Sequence, residues 1–301
     1  MSPKVRNTVI IILLIPAAVI VAVLGLVLFN SLQPLPPVPS LPSPNGYNAF
    51  IKAGDMVTSN VSDYVDLNPD ELQQVVNENS NALQLARRGL TQECRVPLDY
   101  SATSSAHLDQ LSNMKRLANA LAAEGRLAEI QNHPGDAAKS YLDLIQLGIK
   151  SAHGGVIIDG LVGMALENLG VSDLKKIAGK LDAESCRKAA ARLETLDAHR
   201  TSWPEILRQE KAWSRRTFPG FKFRLAALLT RGTLTRIYRR SEQKFKEHES
   251  RTRQLMVDLA ARAYQLDKGH QPASITDLVP DYLKAIPKDP LTGSNMVYSP
   301  R

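Results

Sequence analysis

A mainly α-helical protein behind an N-terminal membrane anchor is the fold this sequence predicts, and three observations predict it. From Thr8 to Phe29 there is no charged residue. Beyond residue 45 the apolar residues recur at three- and four-residue spacing, the period of helices buried along one stripe. After Gly269 that period is lost, and prolines, glycines and a terminal Val297-Tyr298 pair predict turns with a short strand.

The uncharged run comes first. Its 22 residues span roughly 33 Å as a helix, enough to cross the hydrocarbon of a bilayer. A cleaved signal peptide has an apolar core of about 7–15 residues and ends in a small-x-small site. Phe29-Asn30-Ser31-Leu32-Gln33 is a poor cleavage sequence, and no cysteine follows to carry a lipid. Pro16 and Gly25 interrupt the run, which membrane helices tolerate. Residues 8–29 therefore read as an uncleaved single-pass anchor in the lipid bilayer. Lys4 and Arg6 precede it and Asn30 to Ile51 is uncharged. The positive-inside rule then keeps the N-terminus in the cytoplasm and places the rest outside, on the far side of a bacterial inner membrane.

The domain order follows: residues 1–30 as cytoplasmic tip and anchor, 31–45 as linker, 46–250 as an exported helical domain, and 251–301 as a C-terminal segment. Pro34 to Pro44 holds six prolines in eleven residues. It predicts an extended polyproline spacer of roughly 34 Å.

Charge is unevenly placed. Residues 31–199 carry 15 basic and 20 acidic residues, whereas residues 200–253 carry 15 basic and 5 acidic, a net of +10. Arg215, Arg216, Lys222, Arg224, Arg231, Arg236, Arg239 and Arg240 lie in that stretch, interleaved with Trp213, Phe218, Phe221, Phe223 and Tyr238. Such a pattern suits anionic lipid headgroups, acidic polymers or nucleic acid. Export disfavours nucleic acid, so headgroups are the expected contact. The competing reading is a pair of helices with solvated arginines whose stems cover apolar surface.

Two cysteines are present, Cys94 and Cys186. An exported compartment permits a disulfide between them. Cys186 shares a helical stripe with Ala189, Ala190, Leu193 and Leu196, so a buried thiol explains it equally well.

Helix signals punctuate the body. Asn68-Pro69-Asp70-Glu71 is a cap, a first-position proline and first-turn acids, opening a helix that ends near Gly89. Leu108 to Ile130 and Ala138 to Ile149 form two further stripes, broken at Pro134-Gly135-Asp136. Gly160 and Gly163, one turn apart in the apolar helix from Val156, predict close packing against another helix, since glycine costs about 1 kcal/mol in a helix interior. Further helices are expected near 183–199, 203–217, 222–238 and 241–267.

Ala122-Ala123-Glu124-Gly125-Arg126, then Gly135-Asp136-Ala137-Ala138 and Tyr141, is similar to a tetratricopeptide unit. The body is accordingly expected to be an irregular antiparallel, tetratricopeptide-like α-helical domain, with a small α+β tail. That tail resembles the post-helix segment of type II secretion pseudopilins over about 45 residues, through Tyr264, Leu266, Asp267, Gly269, Pro272, Pro287, Asp289, Pro290 and Gly293. It lacks the prepilin start and the calcium-loop region, so no pilus-subunit role and no metal ligand follow. The whole layout resembles bacterial membrane-anchored envelope proteins to which no activity is attached.

Catalytic signatures are absent. The six histidines have no metal-ligand spacing, and His153-Gly154-Gly155 lacks a nucleophile elbow. Asp66-x-Asn68-x-Asp70 lacks the glycine and the terminal glutamate of a calcium loop. No cofactor is implied. The expected function is binding of other envelope proteins. The alternatives are an accessory role in a secretion or pilus-like machine, and a hydrolase whose groups converge from distant segments.

Overall fold

A computed structural model describes residues 25, 34–58, 61, 64–101 and 106–298. Among these the chain is mainly helical, with ten α-helices, two 3₁₀ turns and no strand. The expected span Thr8–Phe29 lies outside the described residues apart from Gly25. Among the described residues no helix is long and apolar enough to cross a membrane.

The first three helices are α1 (Gly46–Met56), α2 (Pro69–Glu78) and α3 (Ser80–Thr91). Asn68 and Glu71 cap α2 reciprocally, at 2.9 and 3.0 Å. The single helix expected from residue 69 to 89 is broken at Asn79, which is 1 % exposed. Its amide donates to the Val75 carbonyl and to Thr58 Oγ1, and its oxygen accepts from the Thr58 N–H. A side chain competing for helix carbonyls in this way breaks the ladder.

A hairpin of α4 (Ala106–Ile130) and α5 (Pro134–Ser151) follows, then α6 (Ile157–Ile177) and α7 (Ala183–Ala198). Helix α5 sits at the centre. Leu144 and Leu147 join a core built on α1 to α4, whereas Tyr141, Leu142, Ile145 and Ile149 join a second core with α6 and α7. Helix α5 can approach α6 closely because glycines face each other. A Cβ on Gly148 would stand 2.5 Å from the Gly163 carbonyl oxygen, and one on Gly163 equally close to that of Gly148. Gly160 instead gives room to Phe245 and Ile206.

Ion pairs centred on buried carboxylates tie the layers together. Asp143 on α5 accepts from Arg87 of α3 at 2.8 Å and from Arg192 of α7 at 2.6 Å, and Arg87 also pairs with Glu124 of α4. Glu167 on α6 accepts from Arg200 at 2.5 Å and sits 3.0 Å from His248 Nε2. Burial pushes the Glu167 carboxyl up, but Arg200 and His248 together outweigh it and hold it below the usual glutamate value.

The last helices are α8 (Trp203–Thr217), α9 (Phe221–Leu229) and α10 (Arg231–Lys268). Sequence punctuation predicts a break near residue 240. It falls instead at Thr230, because Leu234, Ile237, Tyr238, Ser241 and Phe245 form one continuous stripe on α10. Gly269, at φ 77°, closes α10 by donating to the Gln265 carbonyl.

The boundary expected at 250/251 falls inside α10, and Leu278, Tyr282, Leu283 and Met296 are buried in the core of α7 and α10. The strand expected at Val297-Tyr298 is not formed. The tail has one isolated antiparallel bridge, Lys288 to Asn295, closed by a Gly293 N–H to Asp289 carbonyl bond of 2.7 Å. Pro287 and Pro290 bring no N–H to extend it into a ladder.

Candidate functional site

The polyproline segment reaches the body rather than projecting from it. Pro36, Pro37 and Pro39 line a groove with Arg95, Gly154, Gln209 and Arg216. Asn45, buried, then clamps the chain to residue 95, accepting from the Arg95 N–H at 3.0 Å and donating to its carbonyl at 2.8 Å. Arg216, at the end of α8, donates to the Pro36 carbonyl and lies 5.7 Å from the centre of the Tyr100 ring.

An aromatic path runs on from there. Trp213 packs edge-on against Phe218 at 6.1 Å, and Phe218 against Phe223 of α9 at 5.0 Å. Helix α9 buries none of its nine residues. Phe221, Phe223 and Leu229 are exposed, Leu229 to 78 %, an unusual state for an apolar helix.

The expected cations divide between two settings. Lys222, Arg231, Arg236, Arg239 and Arg240 are exposed, and among the described residues they form no ion pair. Arg215, Arg216 and Arg224 are half-buried, and Arg224 Nε is enclosed with no hydrogen-bond partner among the described residues. Cys94 and Cys186 are both buried and unpaired. They belong to different cores, so the permitted disulfide is not formed. Burial pushes the Cys94 thiol up to about 12 and the Cys186 thiol up to about 11.

Sequence reasoning did not find the cavity between α6, α8 and the start of α10. It measures about 490 Å³, within the usual range for small-molecule sites. Leu108, Ile158, Leu161, Leu234 and Ile237 make it mostly apolar, and Trp213 and Tyr238 close its walls. Polar groups gather on one side. His107 Nε2 lies 2.7 Å from Asp159 Oδ1, and the other Asp159 oxygen caps the Val156 N–H at 2.8 Å. The hydrogen bond to Asp159 raises the His107 pKa above the ordinary histidine value, against a smaller opposing effect of burial. Glu210 accepts from the Ile157 N–H at 3.0 Å, and burial pushes its carboxyl up.

A carboxylate-oriented histidine is a component of nucleophilic catalysis, which also needs a hydroxyl or thiol against the ring. Among the described residues no such group bonds His107, and the Ser101 hydroxyl donates to Asp99 at 2.8 Å. His107, Glu210 and Asp99 give the mostly apolar cavity a polar rim. A second hollow, of about 340 Å³, lies between Lys175, Asp258, Arg262 and Tyr298 and is too polar to match it.

Asp159 carries a local trace in the sequence, an acid three residues after a helix start. Its partnership with His107, 52 residues away, leaves none. Comparison with models of protein families, with curated proteins and with solved structures finds no match.

Proposed function

We propose that this is a single-pass, membrane-anchored, extracytoplasmic helical protein of the cell envelope, a scaffold that binds other envelope components while lying against its own membrane. Its N-terminus is cytoplasmic and its anchor is residues 8–29. The observation that carries the reading is where the chain leaving that apolar run meets the body. Pro36 is held by Arg216 at the end of α8, just before the exposed apolar helix α9 with Lys222 and Arg224. Asn30, Ser31, Leu32 and Gln33 alone separate Phe29 from Pro34, a reach of at most about 18 Å. Such a short tether keeps helix α9 and the start of α10 near the membrane face, where anionic headgroups favour each Lys or Arg that comes within a Debye length by about 1 kcal/mol. Apolar side chains and cations on one exposed helix suit that interface.

The test uses the full chain in vesicles. The native thiols are buried and inert, so a Phe223→Cys variant takes an environment-sensitive dye at one place. The dye should report an apolar setting in anionic vesicles and shift toward water in high salt or in zwitterionic vesicles. Equal, water-like emission in all three would defeat apposition. Protease added outside spheroplasts should degrade the body; a protected body would defeat the topology.

A further inference from the structure

The cavity shares walls with the surface assigned to the membrane. Leu234 and Ile237 line it from the first turns of α10, and Arg231 stands exposed one turn before Leu234 on the same helix. Trp213, which lines it too, begins the aromatic path through Phe218 to Phe223 on α9. Ile158 and Ile237 are 42 % and 49 % exposed, so the apolar lining opens to the outside. The hollow, of about 490 Å³, is open to the surface, of a size that takes a small apolar ligand, and lined mostly by apolar side chains.

We infer that this cavity binds an acyl chain of an anionic membrane lipid, drawn from the bilayer between α6 and α10. This rests on the membrane-apposed reading above. The hydrocarbon would lie along Leu108, Ile158, Leu161, Leu234 and Ile237, with its headgroup outside against Arg231. His107, held by Asp159, borders the polar side of the same cavity. Charge selects the lipid: α9 and the first three turns of α10 expose five cations and no acid. A zwitterionic lipid would offer the same tail without that attraction.

The experiment places the full chain in vesicles of a zwitterionic phospholipid doped with an anionic phospholipid bearing a diazirine on one acyl chain. After irradiation, labelled peptides are mapped by mass spectrometry. Label should fall on the segments holding Ile158 to Leu161 and Leu234 to Ile237, besides residues 8–29. Either Ile158→Asp or Ile237→Asp, each at an exposed position and checked for fold by circular dichroism, should cut cavity labelling about tenfold or more, because a carboxylate there opposes both the hydrocarbon tail and the anionic headgroup. Replacing the anionic probe with a zwitterionic one should cut it about fivefold, the equivalent of one lost arginine–headgroup attraction.

Label confined to residues 8–29 and α9 would overturn the cavity assignment and leave the membrane reading standing. No label anywhere, including residues 8–29, would overturn both. Cavity labelling unaffected by both aspartate variants would overturn the cavity as the binding place. Equal labelling by the two probes would overturn the charge selection and with it the proposal as stated.

Discussion

Glu167 shows what a single buried charge does here. Its side chain is 5 % exposed, yet it stays ionised because Arg200, 10 % exposed, and His248 face it. Such a pair contributes little net stability, but breaking it leaves an unpaired buried charge worth about 3–5 kcal/mol. Glu167→Gln should therefore lower the urea midpoint strongly at pH 7. Acid dependence separates this from packing loss. A carboxyl held below its usual value adds stability above the unfolded pKa of about 4.3, and that stability is lost as pH falls through the lower folded value. The wild type should lose stability below about pH 4.3 more steeply than Glu167→Gln. Parallel acid curves for the two proteins would refute the assignment.

At the scale of elements, the α5–α6 contact depends on hydrogen in place of a methyl group. Gly163→Ala would set its Cβ 2.5 Å from the Gly148 carbonyl oxygen, a backbone atom that cannot swing aside. The helices must separate, costing about 1–3 kcal/mol. Gly179→Ala, which meets nothing within 4 Å, is the control and should cost far less. Equal urea midpoints for the two variants would show that α5 and α6 do not meet this closely. The tail belongs at this scale too. Leu278, Tyr282 and Leu283 are core residues, and removing residues 251–301 would also cut α10 at its middle. Loss of a partner after that deletion would report unfolding, so contacts of the tail are better probed at exposed Leu291 or Val297.

Over the whole molecule, the two cores should melt together, because α5 contributes side chains to both. Leu144 points into the first core and its neighbour Ile145 into the second, each 0 % exposed. Leu144→Ala and Ile145→Ala should each cost about 2–5 kcal/mol and shift one common transition. Two separated transitions in calorimetry, each moved by only one of the substitutions, would mean that the halves are independent.

Much of this architecture is legible in the chain. Asn68 to Glu71 announces a helix start, Gly269 a helix end, and Gly163 a close approach, because each acts through neighbouring residues or its own lack of a side chain. The break at Asn79 is illegible, since its partner Thr58 lies 21 residues away. So is the full extent of α10, whose stripe persists through the charges around Arg239.

The candidate site divides the same way. Composition alone places the chain's excess of positive charge, interleaved with aromatics, in 200–253, since charge and hydropathy are properties of each residue taken singly. Tertiary structure alone decides that Trp213, Ile158, Leu234 and the His107–Asp159 pair surround one cavity. It also decides that the proline segment docks on α8 beside them. Local sequence sets helix period, caps and charge because these are interactions over one or two turns. A cavity is what remains when helices distant in sequence settle their close packing, and no local pattern encodes that remainder.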